Sequence, residues 1–285
     1  MLQDLSFGHL DNQYHESTPQ PEDILLCMRG GDILVHRCED NHLHLPTWEQ
    51  VKACCGDWDT WGCGMSVQFV FSMQGADYYL WMGEAGDVPG FAYESANSLR
   101  QTISKDICFA AMTGWHLFTW YRNNQYCGRC GAKTEHDHKE RMMRCPQCRN
   151  MIFPRIAPAV IIGITNGDKL ILSKYAGRNY TRFGMIAGFI EIGETAEEAV
   201  AREAMEEVGL KVKNIRYYGS QPWGIAGNLS IGYFCDLDGD DTIRIDENEL
   251  SEAGWYDRHD LPAKDDGISL TREMIRIFGE GKEPK

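Results

Sequence analysis

At 285 residues the chain is long enough for two domains with buried cores, and its 28 Lys/Arg against 42 Asp/Glu give a formal charge of −14. So acidic a protein is not one coated along its length with nucleic acid, although net charge leaves room for a local basic surface. No apolar run reaches the ~18 residues of a membrane span, and the polar start MLQDLSFGHLDNQYHESTPQPED lacks a signal-peptide pattern.

Residues 1 to about 22 read as a loose lead-in. From Asp23 to about Gly86 the pattern is mainly β, with strands at Asp32–His36 and Ser66–Met73. A turn at Gly75-Ala76-Asp77 then leads into YYLWMGE, a hairpin signal. From Phe91 to Tyr121 the sequence turns helical, most clearly in DICFAAMTGWHLFTWYRNN. Its Trp115, Phe118, Trp120 and Tyr121 read as core rather than as a base-stacking platform. This first domain, 1–122, is a smaller β-rich α+β unit without a catalytic constellation.

Residues 123–155 form the second segment. Cys127-Gly-Arg-Cys130 and Cys145-Pro-Gln-Cys148 are separated by 14 residues, the spacing of a zinc ribbon. Four thiolates close a tetrahedral shell, which assigns one structural Zn²⁺ and leaves His136 and His138 as solvent-exposed bystanders; a redox C-x-x-C is the alternative, weakened by the paired spacing. The chain has 11 cysteines, an odd number with Cys54 and Cys55 adjacent, and this favours a reducing, cytoplasmic setting. From Arg122 to Arg155 there are eight Lys/Arg and three Asp/Glu. Less two for zinc thiolate, that leaves about +3, a charge suited either to a polyanion such as RNA or to an ordinary solvated surface.

The third segment, 156–285, alternates strands with two helices. PAVIIGI and KLILSKY flank an Asn166-Gly167 hairpin turn. FGMIAGF leads into a helix, KNIRYYGS, LSIGYFCDL and AGWYD read as strands, and SLTREMIRIFGE closes the chain as a helix. This order suggests a mixed sheet sandwiched between helices.

The helix after FGMIAGF carries the chemistry. Thr195 and Glu198 spell a capping box and Gly209 sits at its C-terminal cap. Glu203, Glu206 and Glu207 share one face, and at about 100° per residue Glu203 and Glu207 fall within the apolar arc of Ala199 and Val200. Carboxylates beside an apolar stripe are costly to desolvate unless a cation neutralises them. Mg²⁺ or Mn²⁺, with oxygen ligands, suits that set. An acidic, solvated helix is the plain alternative, and spacing decides between them. Gly188, Glu194, Arg202-Glu203, Glu206-Glu207, Gly209 and Leu210 match G-x5-E-x7-R-E-U-x-E-E-x-G-U at every fixed position, with small Ala204 where a bulkier aliphatic is usual.

On these letters the segment resembles the Nudix hydrolases, which implies an α/β/α sandwich and metal-assisted hydrolysis of a diphosphate. With a four-cysteine ribbon upstream and Ser220-Gln221-Pro222-Trp223 downstream, the chain from about Ala110 onward resembles the NADH pyrophosphatase branch, which includes NAD-cap RNA decapping hydrolases. That signature continues P-F-P-x-S in the family, whereas this chain has Gly224-Ile225-Ala226-Gly227-Asn228, a loop with less stacking surface and fewer rigid bonds.

The resemblance implies Glu203, Glu206, Glu207 and Glu249 as Mg²⁺/Mn²⁺ ligands, with Glu207 or Glu206 as general base. Arg202 orients the glutamates, and Glu194 and Glu191 stand behind them. It further implies Phe189 stacked on nicotinamide, with Trp223 delivered from the second subunit of a homodimer. Gln221 and Asn228 belong to the same pocket, Phe153 lies near the other base, and Thr271 takes a position where alanine is usual. NAD(H) would give NMN(H) and AMP, and NAD-capped RNA would give NMN and a 5′-monophosphate end. The altered loop also fits a broader enzyme acting on ADP-ribose, FAD or dinucleoside polyphosphates. A non-catalytic nucleotide or RNA sensor is the remaining class.

Overall fold

The computed structural model describes every residue except 6–9, 55–66, 84, 103, 178–181 and 263–265. Three residues named above, Cys55, Ser66 and Glu84, therefore lie outside the described residues. The chain divides into two compact units. One comprises Leu2–Arg155 with Gly224–Gly227, and the other Met1, Ile156–Trp223 and Asn228–Lys285. The ribbon thus shares a unit with the β-rich domain before it.

In the first unit, strands β1 (Ile24–Arg29), β2 (Asp32–Arg37), β3 (Leu43–His44), β4 (Val67–Met73) and β5 (Ala76–Trp81) run in the order β3-β2-β1-β5-β4, with β6 (Ala92–Ser95) on β2. The short helix α1 (Trp48–Lys52) and the long helix α2 (Lys105–Asn123) accompany them. Inward-facing Leu25, Cys27, Leu34, Phe69, Tyr79 and Trp81 meet Val51 of α1 in one cluster, the alternation that period-2 strands dictate.

The structure corrects three expectations in this unit. The β4–β5 turn is Gln74-Gly75, both at positive φ (56° and 80°), so it falls one residue earlier than read and has the backbone of a two-residue hairpin. The stretch after Phe91 opens with β6, and α2 starts only at Lys105, because pairing with β2 outweighs local propensity. The lead-in is tied down: Asp11 bridges Ser72 and the Ser17 hydroxyl bonds Tyr79 Oη at 2.8 Å. Of the α2 aromatics, Phe118, Trp120 and Tyr121 are buried and Trp115 is half-buried.

The ribbon is three antiparallel two-residue strands, β7 (Glu135–His136), β8 (Met143–Arg144) and β9 (Met151–Ile152). His136 is half-buried rather than solvent-exposed, with Tyr121 Oη at 2.9 Å from Nε2 and Tyr14 Oη at 3.4 Å from Nδ1. His138 is exposed and pairs with Glu16 at 2.8 Å.

In the second unit β10 (Ala157–Asn166), β11 (Lys169–Tyr175), β12 (Ile186–Phe189), β13 (Val212–Trp223), β14 (Asn228–Leu237) and β15 (Leu250–Asp257) form a mixed sheet, order β13-β14-β10-β11-β15 with β12 on β10. β10 runs parallel to β14 and antiparallel to β12. Its alternate residues Val160, Ile162 and Ile164 cluster with Ala199, Val200, Ala204 and Val208 of helix α3 (Ala196–Val208). The other face takes Leu170, Leu172 and Phe234 against Leu270, Met274, Ile275 and Phe278 of helix α4 (Leu270–Gly279). Each of these buried α4 side chains contributes roughly 1.5–3 kcal/mol. The result is the α/β/α sandwich that the strand and helix order suggested.

Candidate active site and zinc ribbon

α3 begins and ends where its sequence says. The Thr195 hydroxyl accepts from Glu198 N at 3.2 Å, and the Glu198 carboxylate accepts from Thr195 N at 2.8 Å, a reciprocal cap worth about 1 kcal/mol. Gly209 ends the helix at φ 69°, a left-handed position that favours glycine. Between these caps Glu203 and Glu207 face the sheet, 8% and 1% exposed, while Glu206 on the next turn faces solvent.

Arg202 is the hub of the cluster. Its Nε and Nη2 donate to the two Glu194 oxygens at 2.7 and 2.9 Å, and Nη1 donates to Glu203 Oε1 at 2.7 Å and Glu206 Oε2 at 2.9 Å. Nη2 also reaches the Phe189 carbonyl at 3.0 Å, so one planar fork fixes α3 to the end of β12. Glu194 in turn accepts from Glu191 N at 3.0 Å. The Arg202 hydrogen bonds hold the Glu194 carboxyl down to about 2. Glu203 is shifted the other way: burial raises it, against Arg202, and the charges of Glu206 and Glu249 raise it further. That coupling places Glu249, exposed just ahead of β15, within electrostatic reach of Glu203.

The donor set is oxygen-only, and its charges repel one another around a half-desolvated centre, which fits Mg²⁺ or Mn²⁺. Glu203 and Glu206 turn oxygens toward Arg202 here. Among the described residues only the four ribbon cysteines bring three or more ligand atoms into one tight group.

The other residues singled out from sequence fall in separate places. Phe189 ends β12, 54% exposed. Gln221 is 2% exposed, its Nε2 donating to Ile268 O and its Oε1 accepting from Leu270 N, both at 2.7 Å. It thereby ties β13 to the first turn of α4, where Thr271 sits half-buried. Trp223 and Asn228 face each other as the last pair of β13 and β14. Phe153 is 51% exposed beyond β9, in the other unit. Gly224 belongs to that unit too, where a Cβ would lie 2.1 Å from the Met112 carbonyl oxygen; no proline or other side chain fits this backbone. Asp266 also shapes the α4 entry, accepting from Ile268 N and Ser269 N at 3.0 Å. Its D-G-I-S spelling is a legible turn-and-cap signal.

In the ribbon, the sulfurs of Cys127, Cys130, Cys145 and Cys148 all lie within 4.8 Å of one another. Cys127–Cys148 and Cys130–Cys145 are 3.6 and 3.4 Å apart, close to the ~3.8 Å edge of a tetrahedron with Zn–S bonds of about 2.3 Å. Arg129 N donates to Cys127 Sγ and Cys148 N to Cys145 Sγ, each at 3.4 Å. The first of these bonds lowers the Cys127 thiol from its ordinary value while hydrogen bonding with the neighbouring sulfurs raises Cys130, so all four can be thiolates together only around a cation such as zinc.

Comparison with known proteins agrees with both halves of this description. Residues 155–277 match the NUDIX domain model and 122–153 the NADH pyrophosphatase zinc ribbon domain. A protein from Erwinia tasmaniensis named NAD-capped RNA hydrolase NudC is 37% identical over 198 residues, 68% of this chain and 76% of that protein. One of the same name from Shigella boydii serotype 18 is 39% identical over 180 residues, 62% of this chain and 70% of its own. The chain belongs to the NudC family of Nudix hydrolases. A solved Nudix hydrolase from Nitrosomonas europaea aligns over 55% of this chain and 91% of its own at 21% identity, TM-score 0.47. As a NudC-family pyrophosphohydrolase, the chain carries one structural zinc in its ribbon and uses Mg²⁺ or Mn²⁺ for catalysis.

Proposed function

We propose that this chain hydrolyses the diphosphate of NAD(H) to NMN(H) and AMP, and cleaves NAD-capped RNA to NMN and a 5′-monophosphate end. The reading rests on one observation above all, the pair of buried carboxylates Glu203 and Glu207 on the sheet-facing side of α3. The names of the relatives supply the substrate class.

Glu203, Glu206, Glu207 and Glu249 would hold Mg²⁺ or Mn²⁺, which supplies charge neutralisation along the diphosphate and lowers the pKa of water. Glu207 or Glu206 accepts the proton of the attacking water. Arg202 keeps Glu203 and Glu206 oriented. Phe189, exposed at the end of β12, offers a stacking face to nicotinamide, and Trp223 of a second subunit adds to it in a homodimer. Phe153 takes the other base, while Asn228 and Thr271 complete the lining. Gln221 serves that pocket through the α4 turn it holds. No helix among the described residues is long and apolar enough to cross a membrane. The odd count of 11 cysteines, with Cys54 and Cys55 adjacent, supports a reducing, cytoplasmic setting.

A Glu207→Gln variant should still bind NADH and lose hydrolysis by roughly 10²–10⁴-fold. Equal inertness of wild type and variant with Mn²⁺ supplied would leave the sensor reading standing instead. The Gly224–Asn228 loop favours one second reading, a broader pyrophosphohydrolase. Side-by-side turnover of NADH, NAD⁺ and ADP-ribose separates the two, and a preference for ADP-ribose selects the broader enzyme.

A further inference from the structure

The ribbon's charge is sorted by position. Its three acids, Glu135, Asp137 and Glu140, lie on β7 and the turn toward β8. The knuckle end, residues 122–133 and 144–155, carries Arg122, Arg129, Lys133, Arg144, Arg149 and Arg155 with no Asp or Glu. Subtracting two for a four-thiolate zinc leaves about +4 there, on a chain whose net charge is −14. Arg144 is paired with Asp137 at 3.1 Å, and the other five cations are exposed.

An aromatic ring sits among them. Tyr126 is 64% exposed and its backbone bridges Lys133. Asn150 Nδ2 donates to Cys127 Sγ at 3.7 Å, so the residue between Arg149 and the 54% exposed Met151 touches the knuckle that follows Tyr126. A second copy of this face would oppose like charge with like. An acidic peptide would satisfy the cations but leave the tyrosine and guanidinium planes unused. Single-stranded nucleic acid uses both, phosphates against the cations and bases against the flat groups.

We propose that the knuckle end of the ribbon binds the single-stranded RNA body that follows an NAD cap. The proposal rests on the capped-RNA reading above, and it assigns to the ribbon an affinity for RNA that free NAD does not engage. The direct probe is a single-stranded RNA with a 5′-monophosphate, bound to the full-length protein and followed by fluorescence anisotropy across a salt series. Arg129→Ala/Arg149→Ala should bind roughly tenfold more weakly, and the slope of log K against log salt should fall by about 1.4, or 0.7 per phosphate contact. Arg129→Lys/Arg149→Lys should keep the wild-type slope. Tyr126→Ala should weaken binding roughly tenfold with the slope unchanged. In all three variants kcat/KM for free NAD should stay at the wild-type value.

Wild-type RNA affinity and slope in both alanine variants would overturn the proposal. So would a Tyr126→Ala protein that turns from dimer to monomer in light scattering while binding RNA normally, because the face would then belong to a second copy. Should wild type bind RNA with the predicted slopes and yet leave NAD uncut, the hydrolase reading falls and the ribbon assignment stands.

Discussion

A Cβ at position 188 would lie 1.9 Å from Glu203 Oε1 and 2.0 Å from its Cδ. The Glu203 side chain therefore lies across β12 at the one residue without a side chain, and Arg202 pins it there at 2.7 Å. The fixed glycine of the Nudix spacing is thus a matter of volume. Gly188→Ala must push the carboxylate out of the Arg202 fork. Losing the group that orients a ligand typically costs 10–100-fold in metal affinity, and a loss of that size is expected in a Mn²⁺ titration of activity. Thermal stability should change little, because the displaced group can move toward solvent. A variant with unaltered Mn²⁺ dependence would show that the position of Glu203 does not matter to the metal.

β7 of the ribbon is joined to α2 by His136, whose ring nitrogens meet Tyr121 and Tyr14 and whose other charged or titratable neighbours are Asp137, His138 and Arg141. Burial lowers His136 from its ordinary 6.5. Its folded pKa lies below its unfolded one, so its stabilising effect is complete above pH 6.5 and fades as pH falls through that value toward the folded pKa. Urea unfolding between pH 7 and 5 should lose at most about 1.4 kcal/mol per pH unit through this group. A His136→Gln variant should show that much less slope. Zinc thiolates also take up protons in acid, so the difference between the two proteins is the measured quantity; identical slopes would remove His136 from the account. Elements made by local rules were legible beforehand: the capping box and Gly209 bound α3, and the Asn166-Gly167 letters fell within one residue of the β10–β11 turn, which is Gly167-Asp168 because Asn166 still pairs with Lys169. Those made by distant partners were not. β6 takes its conformation from β2, the lead-in is held by Ser72 and Tyr79, and the His136 ring meets Tyr121 and Tyr14, 15 and 122 residues away. In the site, the shared face of Glu203 and Glu207 follows from helical period. The commitment of the Gln221 amide to Ile268 and Leu270, 47 and 49 residues on, has no signal in the letters around it.

Across the whole molecule, with its two compact units, the ribbon is held differently from the sheets. The Nudix unit has an apolar cluster on each face of its sheet. The ribbon has three strands of two residues each, far short of what a sheet needs to stand alone in water. Its order comes from the knuckles. Cys127 N donates to Ala132 O, Gly131 N donates to Cys127 O, and both Arg129 N and Asn150 Nδ2 donate to Cys127 Sγ. Zinc bound by such a site supplies about 10–16 kcal/mol in small ribbons and fingers, more than most whole domains have in reserve. Cys127→Ser removes one of four ligands and the acceptor of two of these bonds. The expected result is zinc falling from about one per chain to a small fraction, with the ribbon-bearing unit melting well below its wild-type temperature. The Nudix unit, whose two apolar clusters lie within it, should keep its own calorimetric transition. A variant that retains a full zinc and melts like wild type would mean the four sulfurs are not what organises the ribbon.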